Sequence, residues 1–221
     1  MARRMKIDFV SDVVCPWCVI GLRGLEQALE RTGDAVSAEI HFQPFELNPN
    51  MAPEGEDVVA HIQRKYGSTP DQAAANREVI RERAASLGFT MPGLNQDRRI
   101  YNTFDAHRLL HWAELEGKQS ALKHALFRAY FTEGRDPSDH DVLIALAAEA
   151  GLDSDAARDV LESGRYAQEV RDAEHLWQSR GIHAVPAVII DGKYLIQGGQ
   201  PPEAFEQALR QIAAEPAEPH N

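Results

Sequence analysis

The N-terminal part of the chain changes its hydrophobic period twice. An apolar run over residues 6–11 predicts a first strand, and residues 16–31 carry the spacing of an amphipathic helix. Residues 36–47 then alternate apolar and polar side chains, as in a strand with one buried face. We therefore predict a strand, a helix and a second strand, followed by a turn-rich loop over residues 48–55.

The period is helical from about residue 57 to residue 180. Gly88 and Gly117 follow two of the apolar stretches, at positions where glycine commonly ends a helix. The predicted helices span residues 58–66, 70–87, 101–116, 119–131, 139–150, 154–162 and 166–179.

Strand patterns return near the C-terminus. Residues 187–190 form a short apolar run, Asp191-Gly192 is a strong hairpin signal, and residues 193–197 supply the partner strand. Two prolines then open a last helix that ends near residue 213. This order predicts one α/β fold split by an insertion. Residues 1–57 and 165–221 would share a sheet, and residues 58–164 would form a helical domain beside it.

Charge and hydropathy narrow the class of protein. The chain has 23 basic and 34 acidic residues, a net charge of −11, which argues against nucleic acid or an anionic membrane as a partner. No apolar run approaches the about 20 residues of a membrane-spanning helix. The N-terminal apolar stretch is interrupted by Asp8 and Asp12, so we expect no signal peptide and a cytoplasmic protein.

Cys15-Pro16-Trp17-Cys18 contains both cysteines of the chain and lies where the first strand leads into the first helix. Free backbone N–H groups and the helix dipole favour an anion there, so Cys15 is the expected nucleophile. Cys18, one helical turn later, can close a disulfide with it. Two cysteines in a cytoplasmic protein indicate catalysis rather than a structural cross-link.

Several stretches resemble the DsbA family of thioredoxin-fold oxidoreductases, and within it the FrnE-like branch. They are CPWC after the first strand, VPAVIIDGKYLIQGGQPPE near the end, and FQPFELNPNM, NTFDAHRLL, ALFRAYFTEGRD and LAAEAGLD between them. The resemblance covers residues 7 to about 208 and implies a thioredoxin-like fold with an inserted all-helical domain. It also implies thiol–disulfide exchange with protein or small-molecule substrates. We expect no cofactor beyond the redox-active cysteines, with glutathione as a candidate electron donor, and a monomer or homodimer.

The resemblance also assigns a substrate surface. It implies that Val185-Pro186 is a cis peptide facing the disulfide and that the Val185 backbone binds an extended substrate. Pro16 and Trp17, between the cysteines, are candidate substrate contacts, although Trp17 could equally pack on the helical insertion. DsbA carries His where this chain has Trp17, so we expect a less oxidising disulfide.

Candidate proton-transfer residues are Asp8, Asp12 and His183. Thioredoxin-like enzymes often hold a buried acid near the second thiol, and Asp8 on the first strand or Asp12 in the following turn could supply it. For both we favour a solvated acid at a strand edge. His183 precedes Pro186 in a loop expected to border the disulfide, and a solvent-facing histidine is the simpler interpretation.

Two alternatives remain open. Zinc binding would need further ligands, of which His107 and His111, spaced i,i+4, are the only tempting ones, so we expect no metal. A glutathione-dependent isomerase or transferase, of the kappa class or the 2-hydroxychromene-2-carboxylate isomerase type, would share the fold. Such enzymes usually carry Ser in place of Cys15 and an acid after the last strand, where this chain has Gly198-Gly199-Gln200.

Overall fold

A computed structural model describes residues 2–92 and 98–215. The N-terminal unit consists of strand β1 (Arg3–Ser11), helix α1 (Pro16–Thr32) and strand β2 (Val36–Pro44), with a short 3-10 turn at Gly33–Ala35 before β2. Strands β1 and β2 are parallel, as a strand–helix–strand crossover requires. The predicted second strand ran to residue 47, but pairing ends at Pro44 because proline has no N–H to donate to a neighbouring strand.

The C-terminal segment adds its strands to the same sheet. Strand β5 (Ala187–Ile190) pairs antiparallel with β1, and β6 (Tyr194–Gln197) pairs antiparallel with β5. The strand order is therefore β2-β1-β5-β6. This confirms the predicted α/β fold, in which the two ends of the chain share one sheet.

Among the described residues, the chain between these units is mainly helical, with one small two-stranded antiparallel sheet that the sequence did not reveal. Its strands, β3 (Glu56–Asp57) and β4 (Arg99–Ile100), are too short for a periodic signal. The helices are α2 (Val58–Tyr66), α3 (Pro70–Ser86), α4 (Phe104–Leu115), α5 (Gln119–Phe131), α6 (His140–Glu149), α7 (Ser154–Ser163) and α8 (Ala167–Ser179), with α9 (Pro202–Ala214) after the sheet.

Alternating strand residues give the sheet two buried faces. Phe9 and Val188 belong to the main core, which also contains apolar residues of α1, α5 and α9. Val10 and Ala187 point into a smaller core that is closed by Trp177 of α8. Helix α8 therefore packs on the sheet, whereas the domain boundaries at residues 57 and 165 stay a prediction. None of the helices within the described ranges is long and apolar enough to cross a membrane.

Candidate active site

The two cysteines lie at the start of α1. Cys15 is the N-cap, with an extended backbone, and Pro16 occupies the first turn. The Cys18 N–H donates to the Cys15 carbonyl over 3.1 Å, which places the two side chains on the first turn of the helix. Both cysteines are free thiols. Cys15 is 4% exposed and Cys18 is 0% exposed, so both are buried and Cys15 retains the only opening to solvent of the pair.

A loop before β5 lies opposite Cys15. The Val185–Pro186 peptide bond is cis. The Cys15 Sγ lies 3.9 Å from the Val185 carbonyl oxygen. Close approach of α1 depends on Gly21, because a Cβ there would lie 2.9 Å from Pro186 Cγ. The absence of a side chain at position 21 therefore lets the first helix and the Pro186 loop meet beside the thiols.

Trp17 is half-buried and has neighbours on both sides. A Cβ on Gly199 would come within 2.9 Å of the Trp17 carbonyl oxygen, so the 198–200 segment packs directly on it. The Arg83 guanidinium of α3 lies 5.3 Å from the centre of the Trp17 ring. Trp17 thus packs on the helical insertion, as one of the two interpretations predicted, and it also lines a cavity next to Cys15.

Asp12 lies beneath the thiols and is fully buried, which contradicts the prediction of a solvated acid. Its Oδ2 accepts a hydrogen bond from the Leu47 N–H over 2.7 Å, and its Oδ1 is 3.5 Å from His107 Nε2. Burial raises the pKa of Asp12, but the hydrogen bonds from His107, Leu47 and Thr103 and the charge on His107 outweigh it. The pKa of Asp12 is therefore below its ordinary value, and the group is a carboxylate.

Lys123 of α5 is a second buried charge in this region, and it was not among the residues predicted from the sequence. Its side chain is 0% exposed, and Nζ has no hydrogen-bond partner among the described residues. Its contacts are aromatic, since Nζ lies 4.8 Å from the Phe127 ring centre and 5.7 Å from that of Phe42. Burial lowers the pKa of Lys123 to about 8, against the opposing effect of the charges on Cys18, Asp12 and Cys15.

The pKa of Cys18 is raised well above its ordinary value. Burial is the largest cause, followed by the hydrogen bond with Cys15 and the charge on Cys15. A hydrogen bond from the backbone of Asp12 and the charge on Lys123 act in the opposite direction. The second thiol therefore stays protonated near neutral pH, and within residues 2–92 and 98–215 the cation that lowers its pKa is Lys123.

The other two candidate proton-transfer residues have different surroundings. Asp8 is buried rather than solvated, a further correction, because Gln43 Nε2 donates to its carboxylate over 2.8 Å and Lys6 Nζ lies 3.2 Å away. Neither cysteine belongs to its described hydrogen bonds or ion pairs. His183 is exposed, as its simpler interpretation predicted, and no described hydrogen bond or ion pair involves it.

The two histidines considered for zinc face different neighbours. His107 is buried with Nε2 3.2 Å from the Phe45 carbonyl oxygen, whereas the ring centre of His111 lies 5.1 Å from that of Tyr166, with the two rings tilted by 43°. Over residues 2–92 and 98–215, no three His, Cys, Asp or Glu side chains converge in a way that could hold a metal ion.

A cavity of about 710 Å³ opens beside Cys15. One wall is formed by Val14, Pro16, Trp17 and Val185, and the other by helices α2 and α3 with Tyr130 and Phe131 at the end of α5. The cavity therefore lies between the cysteine motif and the helical insertion, where a molecule could contact the Cys15 sulfur.

The sheet order, the cysteine pair at the start of the first helix and the facing Val185–Pro186 loop together define a dithiol protein with the thioredoxin fold. Residues 6–210 match the family described as the DSBA-like thioredoxin domain. The chain belongs to this family of thiol–disulfide oxidoreductases, which confirms the predicted family, whereas the FrnE-like branch stays a prediction.

Three similar proteins show how far the likeness extends. A Bacillus subtilis (strain 168) protein described as uncharacterized protein YwbO is 29% identical over 206 residues, or 93% of this chain and 96% of that protein. A probable DsbA oxidoreductase from Streptomyces coelicolor has a TM-score of 0.91 and 35% identity, covering 98% of this chain and 93% of that one. A 2-hydroxychromene-2-carboxylate isomerase has a TM-score of 0.66 and 15% identity, covering 94% and 95%. At this identity the isomerase shares only the fold, so the fold does not distinguish disulfide exchange from isomerase activity.

Proposed function

We propose that this protein is a disulfide oxidoreductase in which Cys15 attacks the substrate and Cys18 resolves the mixed disulfide. The observation that carries the proposal is the unequal placement of two free thiols on one helical turn. Cys15 lines a cavity, whereas Cys18 is fully buried behind it. An attacking thiol needs access to substrate, and a resolving thiol needs access only to its neighbour.

The proposed reaction has two exchange steps. The Cys15 thiolate attacks one sulfur of a substrate disulfide, which forms a mixed disulfide and releases the other sulfur as a thiolate. Cys18 then loses its proton and attacks the Cys15 sulfur, which forms the Cys15–Cys18 disulfide and releases the second substrate thiolate. Two electrons pass to the substrate, and the two thiol protons end on its sulfurs. The reverse sequence oxidises a substrate dithiol.

Lys123 is the residue that we assign to the resolving step. The Cys18 thiol must ionise in a buried place, and Lys123 is the cation whose charge lowers its pKa there. Asp12 is a poorer candidate for accepting that proton, because its pKa lies below the ordinary carboxyl value. We therefore propose that Lys123 stabilises the Cys18 thiolate and that Asp12 contributes a backbone hydrogen bond to it.

The substrate surface in this proposal consists of Pro16, Trp17 and the backbone of Val185. These residues share one wall of the cavity with Cys15. We further propose that the protein works in a reducing compartment such as the cytoplasm, where reduction or isomerisation of disulfides is favoured over oxidation. A dithiol reductant or glutathione would then regenerate the Cys15–Cys18 dithiol.

A glutathione-dependent isomerase or transferase is the alternative. The free cysteine pair argues against it, because that chemistry has no use for a resolving thiol beneath the nucleophile. Gln200, at the place where such enzymes tend to carry an acid, uses its Nε2 to donate to the Gln197 carbonyl over 2.8 Å. It therefore caps its own turn instead of offering a carboxylate to a glutathione amino group.

Insulin reduction with dithiothreitol separates the two activities. We expect the protein to accelerate insulin precipitation and Cys15→Ser to abolish the acceleration. A conjugation assay with glutathione and chlorodinitrobenzene runs in parallel, in which we expect no activity above the uncatalysed rate. Conjugation by the wild type without disulfide reduction would contradict the proposed function.

A further inference from the structure

The cavity beside Cys15 carries an unusual set of charges for this chain. Three of its lining side chains are cations, Lys65 of α2, Arg77 of α3 and Arg98 before β4. None of the described residues that line it is Asp or Glu, although acidic residues outnumber basic ones 34 to 23 in the whole chain. The cavity is therefore a positive site in an acidic protein.

Arg98 is the most deeply placed of the three cations, at 9% exposure. Its Nη2 donates to the Tyr130 carbonyl over 3.2 Å, and its guanidinium lies 3.9 Å and 4.7 Å from the ring centres of Tyr130 and Phe131. No carboxylate is among its described contacts. A buried guanidinium without an anion keeps a large part of its desolvation cost.

Arg77 and Lys65 add to this unpaired charge. Arg77 Nη1 is buried and has no hydrogen-bond partner among the described residues. Lys65 Nζ donates to the Leu47 carbonyl and to Asn48 Oδ1, each over 2.8 Å, and both acceptors are uncharged. His61 differs, because its Nδ1 lies 2.7 Å from Glu56 Oε2 and so already has a carboxylate partner.

We propose that this cavity binds a small organic carboxylate with an apolar body and that the substrate of Cys15 is a disulfide of this class. The cations would take the carboxylate, since guanidinium groups match its planar geometry. The apolar walls formed by Val14, Ile62, Ile80 and Phe131 would take the body. A volume of about 710 Å³ lies in the range of sites for drug-sized molecules.

This inference rests on the proposed disulfide exchange and adds the substrate class. With a carboxylate-bearing disulfide R–S–S–R, the Cys15 thiolate breaks the S–S bond, forms Cys15–S–S–R and releases R–S⁻. Attack by Cys18 then forms the Cys15–Cys18 disulfide and releases the second R–S⁻. A dithiol such as dithiothreitol returns the protein to its reduced state.

Binding is tested first with a probe that cannot exchange. Methylthio-nitrobenzoate, a thioether carboxylate, and its uncharged amide are titrated calorimetrically into the reduced protein. We expect the carboxylate to bind about tenfold or more tightly than the amide, the usual effect of one charged hydrogen bond. Arg77→Gln and Arg98→Gln should each remove most of this preference. Arg81→Gln is the matched control, because Arg81 lies on the same helix, is exposed and pairs with Glu78 at 3.1 Å.

Exchange is tested next with dithiobis(nitrobenzoate) and its uncharged diamide in single-turnover reactions. Each rate is divided by that of mercaptoethanol with the same disulfide, which removes the difference in intrinsic reactivity. A normalised preference for the anion of about tenfold or more, lost in Arg77→Gln, supports the proposal. Equal normalised rates and equal binding of acid and amide overturn it, whether or not Arg98→Gln folds.

The two tests also separate this inference from the proposed function. If Cys15 reduces insulin and both probes without preferring the anion, the exchange activity stands and the substrate class is wrong. If the carboxylate binds while neither probe nor insulin is reduced, the proposed function fails although the anion site is real.

Discussion

Cys15 and Cys18 are separated by one helical turn and face opposite surroundings. Cys15 lines a largely apolar cavity whose walls include three cations. The Cys15 Sγ lies 3.9 Å from the Val185 carbonyl oxygen. Cys18 instead lies against a closed, buried region that contains the charged side chains of Asp12 and Lys123, which we call the closed floor. The first turn of one helix thus places two cysteines in unlike surroundings, and burial, followed by the hydrogen bond with Cys15 and the charge on Cys15, raises the pKa of the inner thiol.

The largest expected effect comes from removing one thiol at a time. Cys15→Ser should lower disulfide exchange on the order of 10³-fold or more, because the attacking sulfur is gone. Cys18→Ser should still attack and then accumulate a mixed disulfide, since nothing resolves it. Intact-protein mass spectrometry after mixing with substrate measures the adduct.

Alkylation with iodoacetamide checks the same assignment in the unmodified protein. Cys15 should react first across the neutral pH range, because the raised pKa of Cys18 keeps it protonated. Earlier modification of Cys18, or an adduct on Cys15→Ser alone, would reverse the roles that we assign.

Lys123→Met probes the closed floor and should change catalysis and stability in opposite directions. Loss of the cation should raise the pKa of Cys18 further, so mixed disulfides should persist longer in rapid-quench experiments. Unfolding should become harder by about 3 kcal/mol at pH 7, because the folded pKa of about 8 lies some 2.5 units below the ordinary 10.5.

The stability difference between Lys123→Met and wild type should depend on pH. Below pH 8 the folded wild type bears the full cost of a buried ammonium, and that cost disappears as pH rises from about 8 to 10.5. The advantage of Lys123→Met in urea unfolding should therefore fade over this range. Lys118→Met, at the exposed start of the same helix, should change neither quantity. A destabilised Lys123→Met protein would show that the aromatic contacts of Lys123 outweigh its charge.

Local patterns were sufficient to predict the parts of the fold that depend on neighbouring residues. The cysteine pair at the start of α1 and the Asp191-Gly192 turn are such cases, and both turn residues have the positive φ that the hairpin signal requires. Lys123 left a weaker signal. It falls on the apolar stripe of α5, four residues before Phe127, where a lysine is unexpected.

The cavity could not be predicted from sequence. Lys65 lies on α2, Arg77 on α3 and Arg98 just before β4, so only the packing of these segments beside Cys15 brings the three cations together. The burial of Asp12 is similar, because it depends on the Leu47 N–H and on His107 from the helical insertion. Long-range packing therefore determines the electrostatics on both sides of the thiol pair.

Gly21→Ala tests whether the close contact between α1 and the Pro186 loop positions Cys15. The added Cβ would stand 2.9 Å from Pro186 Cγ, so α1 or the Pro186 loop must move. We expect a loss of about 1–3 kcal/mol, partly offset by about 1 kcal/mol from the better helix propensity of alanine. Thermal unfolding and the exchange rate should both fall, whereas Glu30→Ala on the exposed face of the same helix should leave both unchanged. An unaltered exchange rate in Gly21→Ala would mean that this contact does not position Cys15.

The last prediction concerns Glu46, at the edge of the closed floor. Its side chain is buried, it pairs with Arg171, and burial followed by repulsion from Glu174 raises its pKa to about 7. The folded value lies above the ordinary 4.5, so its contribution to stability is complete below pH 4.5 and is lost as pH rises through 7. Glu46→Gln should remove this pH dependence and gain about 2 kcal/mol of stability above pH 7, after allowance for solvent screening.

Urea unfolding from pH 4.5 to 8 measures this gain, with Glu169→Gln, exposed on α8, as the control. If the free energy of unfolding changed with pH equally in Glu46→Gln and wild type, the charge of Arg171 would fully compensate the buried carboxylate. Glu46 would then not belong with Asp12 and Lys123 to the closed floor.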